Sequence, residues 1–441
     1  MNQELEKRYS HNSLMFTISY IFMGIMSGIC FDTLVTFLQE ASPSTAAGFS
    51  SYMGYGTFAA AIIILLIPKI GYKKVIMIGP IASIAALFAV NFMKGSMIMN
   101  ISTFALLAGV TLYDAILPPF LSSYSSPENR QKVFSRAIYT NVIGMVIASF
   151  TGGKLIVMRF AARLGMSYSK ANALTANTKA LTEAQKSLYI AAHKDVLLMF
   201  VVISVLALIP LLFLKEVPQD YADAKKEKSK FNWKIFANKY VFLFVLYNVL
   251  IRFGASLICP YFSVFLGKLG IERGTVSTLV TLQYIAMVIF MMASPWVVKK
   301  FGQVVALGGL CLASIPFMLI IANGRAFGSG IVFAVGAALF FRSGFMNAAN
   351  PVMQSLPMEF VSKELRPAYN SVIFVAGALA SIAAGWFTKN IMFDPKVITD
   401  GYTKAYYITA AIYTTAVIIL LIVYTKKYNR SFEQHKEDKI A

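Results

Sequence analysis

Charge is what this chain has least of for its size. Asp, Glu, Lys and Arg make up 14% of its 441 residues, against 57% that are hydrophobic. Soluble domains usually carry about 25% charged residues, and a single soluble core stops growing at roughly 250–300 residues. A soluble enzyme is thereby excluded. Apolar runs recur throughout, which excludes collagen, coiled-coil and disordered chains. Histidine is nearly absent: His11, His193 and His435 all lie outside the apolar runs, so an intramembrane histidine relay or a metal site lacks its usual ligands. Cysteine is as scarce. Cys30, Cys259 and Cys311 lie inside apolar runs and read as small core hydrophobes, an odd number that gives no disulfide framework. No Walker A loop, dinucleotide-binding glycine pattern or nucleophile elbow occurs, so neither an ATP-driven pump, a cofactor nor an enzyme is expected. A polytopic membrane protein remains.

A spanning helix needs about 20 apolar residues at 1.5 Å rise each. Twelve runs qualify: 14–38, 50–68, 75–93, 98–121, 134–158, 195–214, 240–267, 275–297, 303–322, 329–356, 368–391 and 405–425. The first follows a charged head, Glu4 to Arg8, and is too long for the apolar region of a signal peptide.

Basic residues set the orientation. Lys7 and Arg8 precede span 1, Lys69, Lys73 and Lys74 fill loop 2–3, Arg130, Lys132 and Arg136 mark loop 4–5, and Lys426, Lys427 and Arg430 begin the tail. Loop 1–2 has no basic residue and loop 3–4 only Lys94. Lys and Arg concentrate in cytoplasmic loops, which predicts a multi-pass protein of the cell membrane with both termini in the cytoplasm. Loop 5–6 (Arg159, Arg163, Lys170, Lys179, Lys186, Lys194) and loop 11–12 (Lys389, Lys396, Lys404) break the pattern on the outer side. Long loops translocate with weaker regard to charge. The net charge of +20 then suits anionic lipid and not nucleic acid.

Two connections carry patterns of their own. In loop 5–6, Thr182 and Gln185 have capping-box spacing before a run of helix formers, which predicts a short outer helix serving as a lid or as packing. Residues 215–239 form a linker. Its mostly basic run Lys225 to Lys230, followed by Phe231, Trp233 and Phe236, predicts a cytoplasmic segment on the membrane surface.

The two halves repeat. SPENRQKVFSRAIYTNVI (126–143) lies over LPMEFVSKELRPAYNSVI (356–373) at a shift of 230, matching Pro127, Arg136, Tyr139, Val142 and Ile143 to Pro357, Arg366, Tyr369, Val372 and Ile373. Near the same shift, PKIGYKK (68–74) lies over KKFGQVV (299–305). Spans 5 and 11 both carry small residues at i, i+4 and i+8: Gly144, Ala148, Gly152 and Gly377, Ser381, Gly385. Small residues let membrane helices approach closely, and parallel repeats are a transporter signature.

With twelve spans, a long basic central loop and this repeat, essentially the whole chain resembles the major facilitator superfamily. The resemblance implies an all-α integral membrane fold of two pseudo-symmetric six-helix bundles. They would be 1–214, with outer loop 159–194, and 240–441, with its cytoplasmic tail, joined by linker 215–239. The family's loop 2–3 signature is G-x-x-x-D-x-x-G-R-K/R. Here Gly71 matches and Lys73 and Lys74 follow one position late, while Ile64 and Pro68 hold the first glycine and the aspartate positions. The resemblance implies an inner-gate loop at Gly71, Lys73 and Lys74, with Arg136 and Arg366 in the repeated loops. The family's glycine-rich antiporter signature is incomplete, SFTGGK having no proline, so antiport does not follow. RSGFMNAANP (342–351) looks like the same region of several bacterial members.

Four charges lie well inside the spans: Asp32 in span 1, Asp114 in span 4, Arg252 in span 7 and Arg342 in span 10. Insertion scales assign each about 2.5–3.5 kcal/mol at a helix centre, on the order of 10 kcal/mol together unless they pair or meet water. In the family this chain resembles, helices 1, 4, 7 and 10 line the central cavity. One reading makes the four charges two internal ion pairs. The other gives them work. A carboxyl in a low-dielectric cavity can take and release a proton near neutral pH, which makes Asp114 and Asp32 proton-coupling candidates, Asp114 the stronger because Tyr113 adjoins it. Arginine stays charged and offers a planar fork to carboxylate or phosphate, so Arg252 and Arg342 are substrate anchors. Asn248, Asn347, Asn350, Tyr113, Tyr261 and Gln283 are further substrate-binding candidates, with interhelical hydrogen bonding as the alternative for each.

The predicted function is secondary transport of a small polar solute, anionic or zwitterionic, by a proton-coupled monomer working by alternating access, by symport or antiport. The expected partners are that solute, protons and membrane lipid. An exporter of drugs or lipophilic compounds is the alternative. A non-transporting receptor or intramembrane enzyme would need ionisable clusters on neighbouring spans, which the sequence lacks.

Overall fold

A computed structural model of the chain describes residues 3–126, 129–222, 238–361 and 365–429. The linker's Lys225 to Lys230, Phe231, Trp233 and Phe236 lie outside the described residues, as does Pro127 of the repeat. Every regular element among the described residues is helical. In the first half the long helices are α1 (Gln3–Ala41), α2 (Phe49–Ile64), α3 (Tyr72–Phe92), α4 (Ser96–Ser123), α5 (Arg130–Leu164) and α6 (Glu183–Leu212). In the second they are α7 (Lys239–Ile258), α8 (Arg273–Phe301), α9 (Gln303–Ala322), α10 (Ile331–Ala348), α11 (Arg366–Phe387) and α12 (Gly401–Tyr428). Eleven helical stretches are long and apolar enough to cross a membrane, and α2 is a shorter apolar helix at the position of the remaining span. Large apolar side chains such as Phe333, Ile422 and Met97 stand exposed on them, as lipid-facing residues would. The twelve-helix architecture predicted from the sequence is the one observed.

Three local departures matter. α1 contains a π turn at Cys30–Leu34, which holds Asp32. Past α7, Pro260 withholds a backbone N–H, and the chain passes through a 3₁₀ turn, Cys259–Tyr261, into a short helix, Phe262–Lys268. The third concerns loop 5–6. Thr182 and Gln185 do form a reciprocal capping box, at 3.2 Å and 3.0 Å. The helix they start is not a separate outer helix, because no glycine or proline interrupts it before Pro210 and it runs on as α6. His193, expected outside the apolar runs, is therefore a buried residue of α6. The short helix of this loop lies earlier, at Tyr168–Leu174, and leads into a 3₁₀ turn, Thr175–Ala180.

The helices gather into two compact units. One is Met1–Lys228 with Pro260–Thr281; the other is Ser229–Cys259 with Leu282–Ala441. The units depart from the expected halves at 260–281, which clusters with the first. Within each half the same helix pairs pack: α1 on α5, α1 on α6, α3 on α4 and α3 on α6, then α7 on α11, α7 on α12, α9 on α10 and α9 on α12. The small-residue stripes serve these contacts. A side chain at Gly144 would collide with the Ile21 carbonyl of α1, and Ser381 of α11 meets Ser256 of α7 hydroxyl to hydroxyl at 3.0 Å.

Candidate functional site

In the second unit, α7 and α10 bring Arg252 and Arg342 into one cavity of about 190 Å³. Asn248, Arg252 and Cys259 share a face of α7 and its extension, and Arg342 and Met346 a face of α10, with Asn350 just beyond its end, because residues three or four apart stack on a helix. Arg252 is exposed to this cavity, and among the described residues it makes no ion pair or hydrogen bond. Arg342 is 3% exposed and donates from Nη2 to Cys259 Sγ at 3.3 Å. Among the described residues no Asp or Glu lines the cavity. Asn350 donates to Asn347 Oδ1 at 2.9 Å, and Asn347 to the Ser343 carbonyl at 2.8 Å, which fixes both amides. Tyr413 of α12 adds to the wall, its buried hydroxyl without a hydrogen-bond partner among the described residues. Gly254 of α7 admits its ring, since a side chain there would reach within 2.9 Å of it. The structure therefore gathers Arg252, Arg342, Asn248, Asn347 and Asn350, five of the residues singled out in the sequence, and adds Cys259 and Tyr413. Neither addition was distinguishable beforehand, one being a lone thiol in an apolar run and the other one of 22 tyrosines.

The two aspartates, both in the first unit, have different surroundings. Tyr20 of α1 donates to Asp114 Oδ1 at 2.6 Å. The expected company, Tyr113, turns elsewhere: successive residues on a helix point about 100° apart. Its buried hydroxyl meets Ser19 at 2.8 Å, and its ring stacks on Phe16. Asp32 is fully buried in a fork-to-fork ion pair. Arg273 Nη1 donates to its Oδ1 at 2.9 Å and Nη2 to its Oδ2 at 2.7 Å, and Ser263 adds a bond to Oδ1 at 2.6 Å. The sequence offered Arg252 and Arg342 as partners for the acids. Arg273 was overlooked because it stands just before the run 275–297 and reads as a loop charge. Loop 5–6 secures the same place: Thr175 Oγ1 accepts the Arg273 N–H at 2.8 Å and Asn172 Oδ1 the Gly274 N–H at 3.0 Å, capping the start of α8.

Two other candidates stand apart from the cavity. Tyr261 donates to the Ala47 carbonyl at 2.9 Å, at the start of α2. Gln283 is buried in α8, with no partner for its Oε1. In the loop before α3, Gly71 adopts φ +86°, and its left-handed turn presents the Tyr72 and Lys73 N–H groups to the Glu216 carboxylate. Burial pushes the Glu216 carboxyl up, against the pull of those two N–H groups. Lys73 donates to the Leu212 carbonyl at 2.6 Å, closing the end of α6. Lys74 and Arg136 are exposed, and Arg366 is half-buried with its Nε unpartnered.

Among the described residues no cluster of His, Cys, Asp or Glu could hold a metal. Among curated proteins no relative matches the sequence. Solved structures share the fold. A D-xylose–proton symporter superposes with TM-score 0.71 at 13% identity, covering 96% of this chain and 98% of that one. A nucleoside transporter mutant gives 0.67 at 14%, covering 93% and 99%. An E. coli fucose:proton symporter gives 0.58 at 18%, covering 94% and 99%. The sequence itself matches the Major Facilitator Superfamily over residues 49–385, and with twelve helices in two repeated halves the chain belongs to that family of membrane transporters.

Proposed function

We propose that the protein is a proton-coupled secondary transporter of a small polar solute bearing an anionic or zwitterionic group, with Arg252 and Arg342 as anchors and Asp114 as proton carrier. The observation that carries this reading is the cavity with two guanidinium groups and, among the described residues, no acidic residue in its wall. Placing such charges in a membrane is costly unless water or a ligand meets them, and Arg252 has no protein counter-charge among the described residues. Asp114 is held by a neutral phenol, which leaves its charge open to change. Loops rich in Lys and Arg support a reading with both termini in the cytoplasm, and the transporter is read as a monomer of the cell membrane.

Proteoliposomes with an imposed pH gradient test this. A solute found by thermal stabilisation of the purified chain should accumulate with the gradient. Arg252→Lys keeps the charge and loses the fork, and should weaken that solute by about 1.5–3 kcal/mol, roughly 10- to 150-fold. Unchanged affinity in both Arg252→Lys and Arg342→Lys would return these residues to structural roles.

A further inference from the structure

We infer that Cys259 is a covalent-modification site in the cavity wall, selective for small, negatively charged reagents that transfer an R–S group to a thiol. The site needs no particular solute, so it goes beyond the transport reading. The chain has three cysteines, and their surroundings differ. Cys30 and Cys311 are buried, at 0% and 1% exposure. Cys259 is partly exposed and lines the cavity, at the turn where Pro260 ends α7. Reactive thiols sit in partly exposed, electropositive places, whereas buried structural thiols are inert.

The wall around Cys259 has that character. Arg342 Nη2 donates to its Sγ at 3.3 Å. Arg252 is exposed to the same cavity and lies within electrostatic reach of the thiol. The Tyr413 hydroxyl also lies within reach of Cys259. Fully buried and without a hydrogen-bond partner among the described residues, it is a donor open to an incoming oxyanion.

The chemistry is thiol exchange. The thiolate is the nucleophile, and it attacks the sulfenyl sulfur of an alkyl methanethiosulfonate. A Cys–S–S–R bond forms, the S–SO₂ bond breaks, and methanesulfinate leaves with the electron pair. The thiol proton goes to water, no outside oxidant is needed, and a dithiol reverses the step. Size restricts the reagent: the cavity holds about 190 Å³, below the roughly 300–1,000 Å³ of ordinary ligand pockets. Charge selects it, since Arg252 attracts an anionic reagent and repels a cationic one. A unit charge about 6 Å away, screened as fully as in water, changes each rate about threefold in opposite directions, so their ratio moves about tenfold. The thiol's own ionisation is common to both reagents and cancels from that ratio.

Mass spectrometry of the full chain in nanodiscs of zwitterionic lipid tests this. The reagents are the anionic sulfonatoethyl and the cationic trimethylammonioethyl methanethiosulfonates. One adduct should form, map to Cys259 and be removed by dithiothreitol. The anionic-to-cationic rate ratio should fall about tenfold in Arg252→Gln and stay near native in Arg252→Lys, which keeps the charge and loses the fork. Melting confirms that both variants are folded. The native ratio should also exceed that of free N-acetylcysteine amide by about tenfold, a comparison that needs no variant. An adduct at Cys30 or Cys311 instead, or none before denaturation, would overturn the site. Labelling of Cys259 at the free-thiol ratio, unchanged in Arg252→Gln, would overturn its charge selectivity.

Discussion

Removing one partner of the Asp32–Arg273 pair should be among the most damaging single changes in the chain. Arg273 is 4% exposed and Asp32 fully buried, and two parallel bonds of 2.9 and 2.7 Å join them. Breaking a buried pair by deleting one charge costs about 3–5 kcal/mol, because the other charge stays behind unsolvated. At about 2–4 °C per kcal/mol for units of this size, melting should fall by roughly 6–20 °C. The two variants should differ. In Arg273→Gln the stranded Asp32 has only the Ser263 hydroxyl, but a carboxyl can escape by binding a proton. In Asp32→Asn the stranded guanidinium cannot shed its charge, and its remaining side-chain contact among the described residues is Ser277 at 3.4 Å. Asp32→Asn should therefore cost more. The double variant should lose less than the sum, with a coupling of roughly 0.5–3 kcal/mol. Melting curves of the native protein and the three variants decide. Single variants within about 2 °C of the native protein would refute the pair's energetic role.

Asp114→Asn should abolish proton-driven accumulation in proteoliposomes and spare solute exchange, while Tyr20→Phe should keep coupling and move its pH dependence; full accumulation by Asp114→Asn would remove Asp114 from the coupling step. Gly153→Ala should cost about 1–3 kcal/mol of melting stability by overpacking, because its Cβ would strike the Ser277 hydroxyl and come within 2.9 Å of the Arg273 guanidinium carbon. Gly309→Ala, whose Cβ would meet nothing within 4 Å, should be neutral or slightly stabilising in the same assay. Thr182→Ala removes an observed cap and should cost about 1 kcal/mol.

The fold was legible in the sequence because a bilayer imposes length and polarity on every span, so apolar runs map directly onto helices. Helix ends were less legible. α6 begins at Glu183 where the apolar run suggested 195, because its first three turns are polar enough to resemble a loop while still bearing a proper cap. The cavity was legible through Asn248 and Arg252, whose i, i+4 spacing places them on one face wherever the helix lies. Its other wall was not, since Tyr413 arrives from α12, whose rotation depends on packing against α7. Arg273 escaped for a different reason. A charge at a helix start normally reaches water, and only the fold of Asn172 and Thr175 over the start of α8 holds it inside.

The repeat, traced in the sequence through a shared Lys-x-Gly, has a geometric counterpart that also shows where the halves diverge. Gly71 at φ +86°, ψ 167° and Gly302 at φ +80°, ψ 164° make the same turn into α3 and α9, a backbone region closed to ordinary side chains. In both halves a side chain beyond the last helix reaches back to the N–H groups that this turn exposes. In the first half it is the Glu216 carboxylate; in the second it is Asn429 Oδ1, which accepts from Val305 at 3.0 Å. A helix N-terminus favours negative charge, so the two caps differ in kind: one adds a charge and the other only a dipole. The family's aspartate position in loop 2–3 is Pro68, so the acid that faces α3 comes from the other end of the half, after α6. A carboxylate therefore caps α3 although loop 2–3 itself carries no acidic residue, and only the folded chain brings the two together.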